Sequence, residues 1–260
     1  MKNHDENFPV ASWLCPPRLR APIAAIYDFA RTADDLADEG DLTADERLQL
    51  LRQYREALIT GQCTVNEWQA LFAALSRQMA IHAIPMQPLL DLLDAFEQDV
   101  VYTAQQRRYQ TLNELLNYCH RSANPVGRLL LHLYGVNDAL ALQRSDHICT
   151  ALQLINFWQD LSVDIPRQRH YMPLDIEARF ADQPQACMAY LLNDAEHRMQ
   201  QGLALVHQVP GRAGWELRLV VQGGLQVLQK VRRLGPQAWN HRPQISGIDA
   251  PLLLWRAVWM

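Results

Sequence analysis

The stretch DFARTADDLADEG, residues 28 to 40, sets Asp34, Asp35 and Asp38 among apolar and small side chains. In a helix Asp34 and Asp38 stand one turn apart, with Asp35 about 100° around, so the three form a patch at one level. Like charges at that spacing repel, and a carboxylate buried without a partner costs far more than the repulsion. A solvated helix end, with Asp38, Glu39 and Asp41 facing water around Gly40, accounts readily for Asp35 and Glu39 but less well for the trio together. The flank PIAAIYDFARTA implies a helix buried on most sides, and Arg31 neutralises only part of the charge. A second acidic stripe lies in ALQLINFWQDLSVDI, where Asn156, Asp160 and Asp164 follow at successive i,i+4 positions through an apolar helix. Taken alone, a water-exposed face explains it. Two such stripes on facing helices make an anionic slot, and the hard cation that suits one is Mg²⁺, which binds through one or two carboxylates, waters and substrate phosphates.

Helices must position those groups. Apolar residues recur at helical spacing, as in Leu48, Leu51, Tyr54 and Leu58 or Leu89, Leu92, Leu93 and Phe96, and sustained strand alternation is absent. Thr43 with Glu46 and Thr111 with Glu114 match capping boxes, Pro16 and Pro17 precede a long helical pattern, and Gly61 and Gly135 mark stops. The pattern predicts an all-α chain of about ten helices, roughly 18–39, 44–59, 65–82, 86–105, 111–123, 126–134, 138–164, 184–208, 213–234 and 249–258. The long irregular connection is DIPRQRHYMPLD, 164 to 175, where Pro166 and Pro173 forbid continued helix. No repeat or low-complexity tract marks a boundary, so a single domain over 1–260 is expected.

A formal net charge of -4 offers no basic surface for nucleic acid. Cys15, Cys63, Cys119, Cys149 and Cys187 form neither a CxxC nor a Cys/His cluster, and His82, His132, His147, His197, His207 and His241 lack metal-ligand spacing. With no apolar leader or membrane span, a reducing cytoplasm is the expected compartment. The C-terminal DAPLLLWRAVWM suits core packing or peripheral bilayer contact. Arg256 is its only cation, so it lacks the basic face of an interfacial helix, which favours packing.

The motifs together resemble the squalene/phytoene synthase family, from HDENFPVAS (4 to 12) through AIYDFARTADDLADE (25 to 39) and YCHRSANPVGRLLL (118 to 131) to ALQLINFWQDLSVDIPRQRHYMPLD (151 to 175). The resemblance implies the isoprenoid synthase fold, a helical bundle around a central active-site cavity. It implies a prenyl diphosphate substrate held by Mg²⁺, the number of ions left open. Arg31, Asp34, Asp35 and Asp38 match RxxDDxxD and Asn156, Asp160 and Asp164 match NxxxDxxxD. The implied metal ligands are Asp34, Asp38, Asn156, Asp160 and Asp164. Arg169 and Tyr171 match positions that contact diphosphate, and His4 and Asn7 belong to a segment that closes over it.

The chain departs from the commonest family pattern. Gln159 and Val163 replace the arginine and glutamate of RDxxED, SANPVG (122 to 127) stands in place of VAGxVG, and VVYTAQQRRY (100 to 109) is longer than its counterpart. These departures resemble the hydroxysqualene synthase subgroup of bacterial hopanoid pathways. That subgroup takes presqualene diphosphate from a sister synthase, to which this chain would be functionally coupled, and captures the rearranged cation with water, without nicotinamide. Two alternatives stay open: a head-to-head prenyltransferase acting on two prenyl diphosphates, and a non-catalytic binding or assembly module.

A carbocation needs a dry cavity with aromatic faces, each attracting it by roughly 0.5–2 kcal/mol. Phe8, Tyr27, Phe29, Tyr118, Phe157 and Trp158 are available, and Tyr27 and Tyr118 are singled out. In SANPVG, Pro125 lacks an N–H and Gly127 relaxes the chain, so a break is expected there. Spacing alone favours a plain turn between two packed helices, whereas the resemblance favours a break whose freed carbonyl dipoles around Asn124 face a cation. Arg128, just after it, could serve structure or phosphate.

Overall fold

The computed structural model describes residues 15–260, so His4, Asn7 and Phe8 lie outside the described residues. The helices follow in the order α1 Pro17–Asp38, α2 Ala44–Thr60, α3 Asn66–His82, α4 Gln87–Ala104, α5 Leu112–Ser122, α6 Asn124–Tyr134, α7 Ala139–Gln159, α8 Leu161–Asp164, α9 Leu174–Arg179, α10 Pro184–Gly202, α11 Gly211–Leu234 and α12 Ala250–Val258. Short 3₁₀ segments at Ile165–Arg167, Leu203–His207 and Gly235–Trp239 join several of them. No strand occurs among the described residues. The all-α expectation holds, with helix ends close to those read from capping and glycine signals.

Local chemistry explains those ends. Thr43 and Glu46 form the reciprocal box, Thr43 N–H donating to Glu46 Oε2 at 2.8 Å and Glu46 N–H to Thr43 Oγ1 at 3.4 Å. At α5 only half of the second box forms. Thr111 accepts from Glu114 N–H, but the Glu114 carboxylate turns to Gln110 N–H at 2.7 Å and to Tyr102 and Arg107. The 138–164 helix is shorter than expected: at Asp160 (φ -98°, ψ 10°) α7 ends and α8 begins. A short helix also interrupts the 164–175 connection's downstream end, where α9 starts immediately after Pro173. Among the described residues the expected break in SANPVG falls at Ala123, with Pro125 in the first turn of α6.

Two apolar clusters meet along α4 and α6. One gathers α1 to α4 with Leu129 and Leu133 of α6, and the other gathers α5, α7, α10 and α11 with Leu131. On α1 the buried stripe is Leu19, Ile23, Ile26, Phe29, Ala33 and Ala37, which leaves Asp34 and Asp38 on its flank. Phe29 packs on Tyr54, centroids 5.1 Å apart, and Tyr54 on Phe72 at 4.7 Å, so Phe29 belongs to the core rather than to a cation wall.

The C-terminal helix corrects the expectation of core packing. Ala257 is buried and Arg256 turns inward to Gln226 and Gln229, but Trp255 and Trp259 are 64% and 73% exposed, with Leu254 and Val258 beside them. No helix among the described residues is long and apolar enough to cross a membrane.

Close packing of α10 on α7 rests on Gly202, where a Cβ would lie 2.6 Å from the Arg144 carbonyl oxygen and 2.5 Å from Ile148 Cγ1. Gly202→Ala is expected to cost about 1–3 kcal/mol as the helices separate, read as a lower urea midpoint with unchanged slope.

Candidate active site

The α1 carboxylates are divided between two arginines. Arg31 donates Nη1 to Asp34 at 3.1 Å and Nη2 to Asp35 at 2.6 Å, one turn away on the same helix. Asp38 has a partner from far along the chain: Arg169, in the loop after α8, donates to Asp38 Oδ1. Arg169 N–H also closes onto the Asp164 carbonyl at 3.0 Å, which ties that loop to the second acidic segment. The two stripes therefore face one region, with Arg169 between them.

On the second stripe the one-turn spacing survives the change at Asp160. Asp160 N–H donates to the Asn156 carbonyl at 2.9 Å and Asp164 N–H to the Asp160 carbonyl at 2.8 Å. Asn156 is exposed and Asp164 half-buried. Asp160 is held by Arg242, Nε to Oδ1 at 2.5 Å. Arg242 lies on the loop following the last 3₁₀ segment and was not anticipated. Fully buried Gln159 anchors that loop by donating Nε2 to the Pro243 carbonyl at 2.6 Å. Gln159 therefore fixes the loop that carries the arginine paired with Asp160. Nothing in the local pattern around Arg242 announces this pairing, because its partner lies 82 positions away.

A third acidic group, Asp99 on α4, was missed. Tyr118 Oη donates to Asp99 Oδ2 at 2.5 Å, and Tyr171 lies beside Tyr118. Their rings form a cluster in which Tyr171 stacks on Phe157 at 3.9 Å and lies 6.0 Å from Tyr118. Nothing in the local pattern around Asp99 distinguishes it from an ordinary helix carboxylate, because its partners come from α5 and from the loop. Tyr27 stands one turn before Arg31 and is close enough to influence it. Asn124 is buried, accepting from Thr150 Oγ1 at 2.9 Å, which holds the α5–α6 break against α7. Arg128 pairs with Asp146 through Nε at 2.9 Å and Nη2 at 2.6 Å, which gives it a structural partner.

Burial and crowding set the proton affinities. Burial pushes Asp99 up to about 7, against the Tyr118 hydrogen bond and Arg169, with Asp34 and Asp38 adding to the rise. Burial pushes Asp164 up to about 6, Asp160 raising it further while Arg169 and Arg167 oppose. Asp34 is raised for the same first reason, with Arg31 opposing. Arg169 lines a cleft of about 480 Å³ with Asp38, Val100 and Arg167, and another of about 410 Å³ with Asp164, Tyr171 and Trp239.

The donor set is oxygen from Asp34, Asp38, Asp160, Asp164 and Asn156, which fits a hard divalent ion. Among the described residues no three acidic, histidine or cysteine side chains already converge on one point. A metal here would therefore take one or two protein oxygens and complete its shell with phosphate and water.

Elsewhere in the bundle an apolar cavity of about 250 Å³ is lined by Ile23, Val126, Leu130, Leu152, Leu217 and Val220. Gly127 lies at its wall, and a Cβ there would meet Ser145 Oγ at 2.3 Å and Cys149 Sγ at 2.6 Å. The glycine is thus required for the close approach of α6 to α7 rather than for backbone freedom.

The chain belongs to the squalene/phytoene synthase family: the family model of that description matches residues 1–249. Its fold is the isoprenoid synthase helical fold. It is 41% identical over 177 residues to a hydroxysqualene synthase of Rhodopseudomonas palustris, a match covering 67% of this chain and 58% of the relative. It is 35% identical over 248 residues to a hydroxysqualene synthase of Sinorhizobium fredii, covering 90% and 82%. The crystal structure of squalene synthase HpnC from Alicyclobacillus acidocaldarius superposes with a TM-score of 0.79 at 33% identity, covering 89% of this chain and 90% of that one. A dehydrosqualene synthase crystallised with a ligand shares the fold, with a TM-score of 0.76 at 21% identity.

A carboxyl with a raised native pKa binds its proton more tightly folded than unfolded, so its contribution to stability is full below about pH 4 and is lost as pH rises through about 6 for Asp164. Asp164→Asn is expected to stabilise the protein at pH 8 by about 1 kcal/mol, with no gain at pH 4, as read by thermal melting at both pH values.

Proposed function

We propose that the protein converts presqualene diphosphate and water to hydroxysqualene and diphosphate, the reaction of a carbon–oxygen lyase, with Mg²⁺ and without NADPH. The observation that carries this reading is the placement of Asp34, Asp38, Asp160 and Asp164 on two segments that share Arg169, beside the ring cluster of Tyr118, Phe157 and Tyr171. Support for water as the nucleophile comes from the hydroxysqualene synthases at 35% and 41% identity.

In this reading Asp34, Asp38, Asn156, Asp160 and Asp164 hold Mg²⁺, which when bound neutralises the diphosphate and eases its departure. Arg31, Arg169 and Arg242 exchange their carboxylate partners for diphosphate oxygens and stabilise the charge that develops as the C–O bond breaks. Asp35 keeps Arg31 oriented. The electron-rich faces of Tyr118, Phe157 and Tyr171 attract the cation left behind, with Tyr27 on the α1 side. The apolar cavity suits a prenyl chain. His4 and Asn7 are proposed to close over the diphosphate, and Asn124 to hold the break that shapes the cavity wall.

A second reading, condensation of two prenyl diphosphates, draws on the 28% identity to a phytoene synthase of Pseudescherichia vulneris. The non-catalytic reading is disfavoured by the complete set of acidic and arginine residues. The substrate's chemistry requires a sister synthase that joins two prenyl diphosphates to supply it. The apolar surface of α12, with Trp255 and Trp259, is proposed as a peripheral bilayer contact for so apolar a substrate and product.

Incubation with presqualene diphosphate and Mg²⁺ is expected to give hydroxysqualene, and Asp34→Ala or Asp160→Ala to lower turnover by at least about 100-fold with a melting temperature within about 3 °C of wild type. Presqualene diphosphate or hydrocarbon formed from farnesyl diphosphate alone would favour the second reading, and unchanged turnover in both variants the third. Flotation with phosphatidylcholine vesicles should retain the wild-type protein and lose the Trp255→Ser, Trp259→Ser double variant.

A further inference from the structure

Ser122 is the last residue of α5, one turn after Tyr118 and on the same helical face. Its Oγ is buried and has no hydrogen-bond partner among the described residues. A serine in a helix commonly satisfies itself on the carbonyl four residues back, here that of Tyr118, and this one does not. Leaving a buried hydroxyl unpaired is costly, and a small polar molecule is the usual remedy. The chain breaks at the very next residue, Ala123.

One turn away stands the pair made by the Tyr118 hydroxyl and the Asp99 carboxylate at 2.5 Å. The groups facing Asp99 are Tyr118 from α5, Arg169 from the loop after α8, and Asp34 and Asp38 from α1. Tyr118 is flanked in addition by Tyr171 and Tyr109.

We propose that Ser122 holds the water that captures the carbocation, and that the Tyr118–Asp99 pair receives the proton this water gives up. The inference rests on the presqualene diphosphate reading and deepens it. In this step the water oxygen forms a bond to the cationic carbon. One of its O–H bonds then breaks, the electron pair staying on oxygen, and the proton passes to Tyr118 Oη as the Tyr118 phenolic proton moves to Asp99 Oδ2. Asp99 Oδ2 already accepts from the Tyr118 hydroxyl at 2.5 Å, so the proton has a hydrogen-bonded path to the carboxylate. Without the serine the cation has no ordered nucleophile, and it is quenched by losing a proton from a neighbouring carbon to the released diphosphate, giving a C30 hydrocarbon.

The experiment compares wild type, Ser122→Val and Ser122→Thr with presqualene diphosphate and Mg²⁺, measuring diphosphate release and the oxygenated share of the lipid products separately. Ser122→Val is expected to release diphosphate within about threefold of the wild-type rate while the ratio of hydroxylated product to hydrocarbon falls at least about tenfold. Ser122→Thr, which keeps the hydroxyl, should restore the wild-type ratio. If Ser122→Val does not fold, Ser122→Ala removes the hydroxyl without added volume and is expected to shift the ratio the same way. Asp99→Asn, which can still accept from Tyr118 but takes up no proton, is expected to lower kcat about tenfold with KM little changed. A wild-type product ratio in Ser122→Val or Ser122→Ala overturns the water site alone. Wild-type protein that releases no diphosphate overturns the substrate reading and the water site with it.

Discussion

The bond from Arg169 to Asp38 spans 131 positions of sequence, and the geometry of the acidic region depends on it. Asp38 closes α1, Asp164 closes α8, and Asp99 projects from α4, so three helices bring carboxylates toward one guanidinium. Unscreened, those charges would drive the helix ends apart, and burying them without partners would cost more than the surrounding apolar contacts return. Arginine at this position lets the bundle close. The same neutralisation leaves Arg31, Arg169 and Arg242 each paired with a carboxylate.

This constraint explains why neighbouring elements are built as they are. Segment 105–112 is clasped to the loop carrying Arg169 and Tyr171: Gln106 donates to Gln168 at 3.3 Å, Arg108 to the Met172 carbonyl at 3.3 Å, and Leu174 N–H to the Tyr109 carbonyl at 2.9 Å. Through these contacts the stretch acts as a buttress for the loop. On the other side, Gln159 and Arg242 pin the loop before α12 to the second stripe. Both sides of the acidic hollow are therefore held by contacts distant in sequence, and the aromatic cluster of Tyr109, Tyr118, Phe157 and Tyr171 fills the space between.

How much of this was legible in the sequence follows the range of the interactions. Thr43, Gly61, Pro125 and Gly135 act within a turn or two, so helix ends and the break near Ala123 could be read directly. Arg31 with Asp34 and Asp35 is equally local. Asp99, Arg242 and the half-formed box at Thr111 depend on partners from other helices, and no periodicity announces them. Composition misled at α12, whose apolar residues suggest a core segment. There Ala257 alone is buried, because the helix lies at the edge of the bundle against α11. Phe29 and Tyr118 look alike in sequence, yet one packs between Tyr54 and Phe72 while the other meets Asp99.

The central claim is that two opposed acidic segments become a binding site when metal and diphosphate arrive together. Isothermal titration of the protein with inorganic pyrophosphate, with and without millimolar Mg²⁺, tests it most directly. The account predicts binding at least about tenfold tighter with Mg²⁺ than without it, since neither partner alone neutralises the other and the aspartates. Equal affinity under both conditions, or no heat in either, would contradict it.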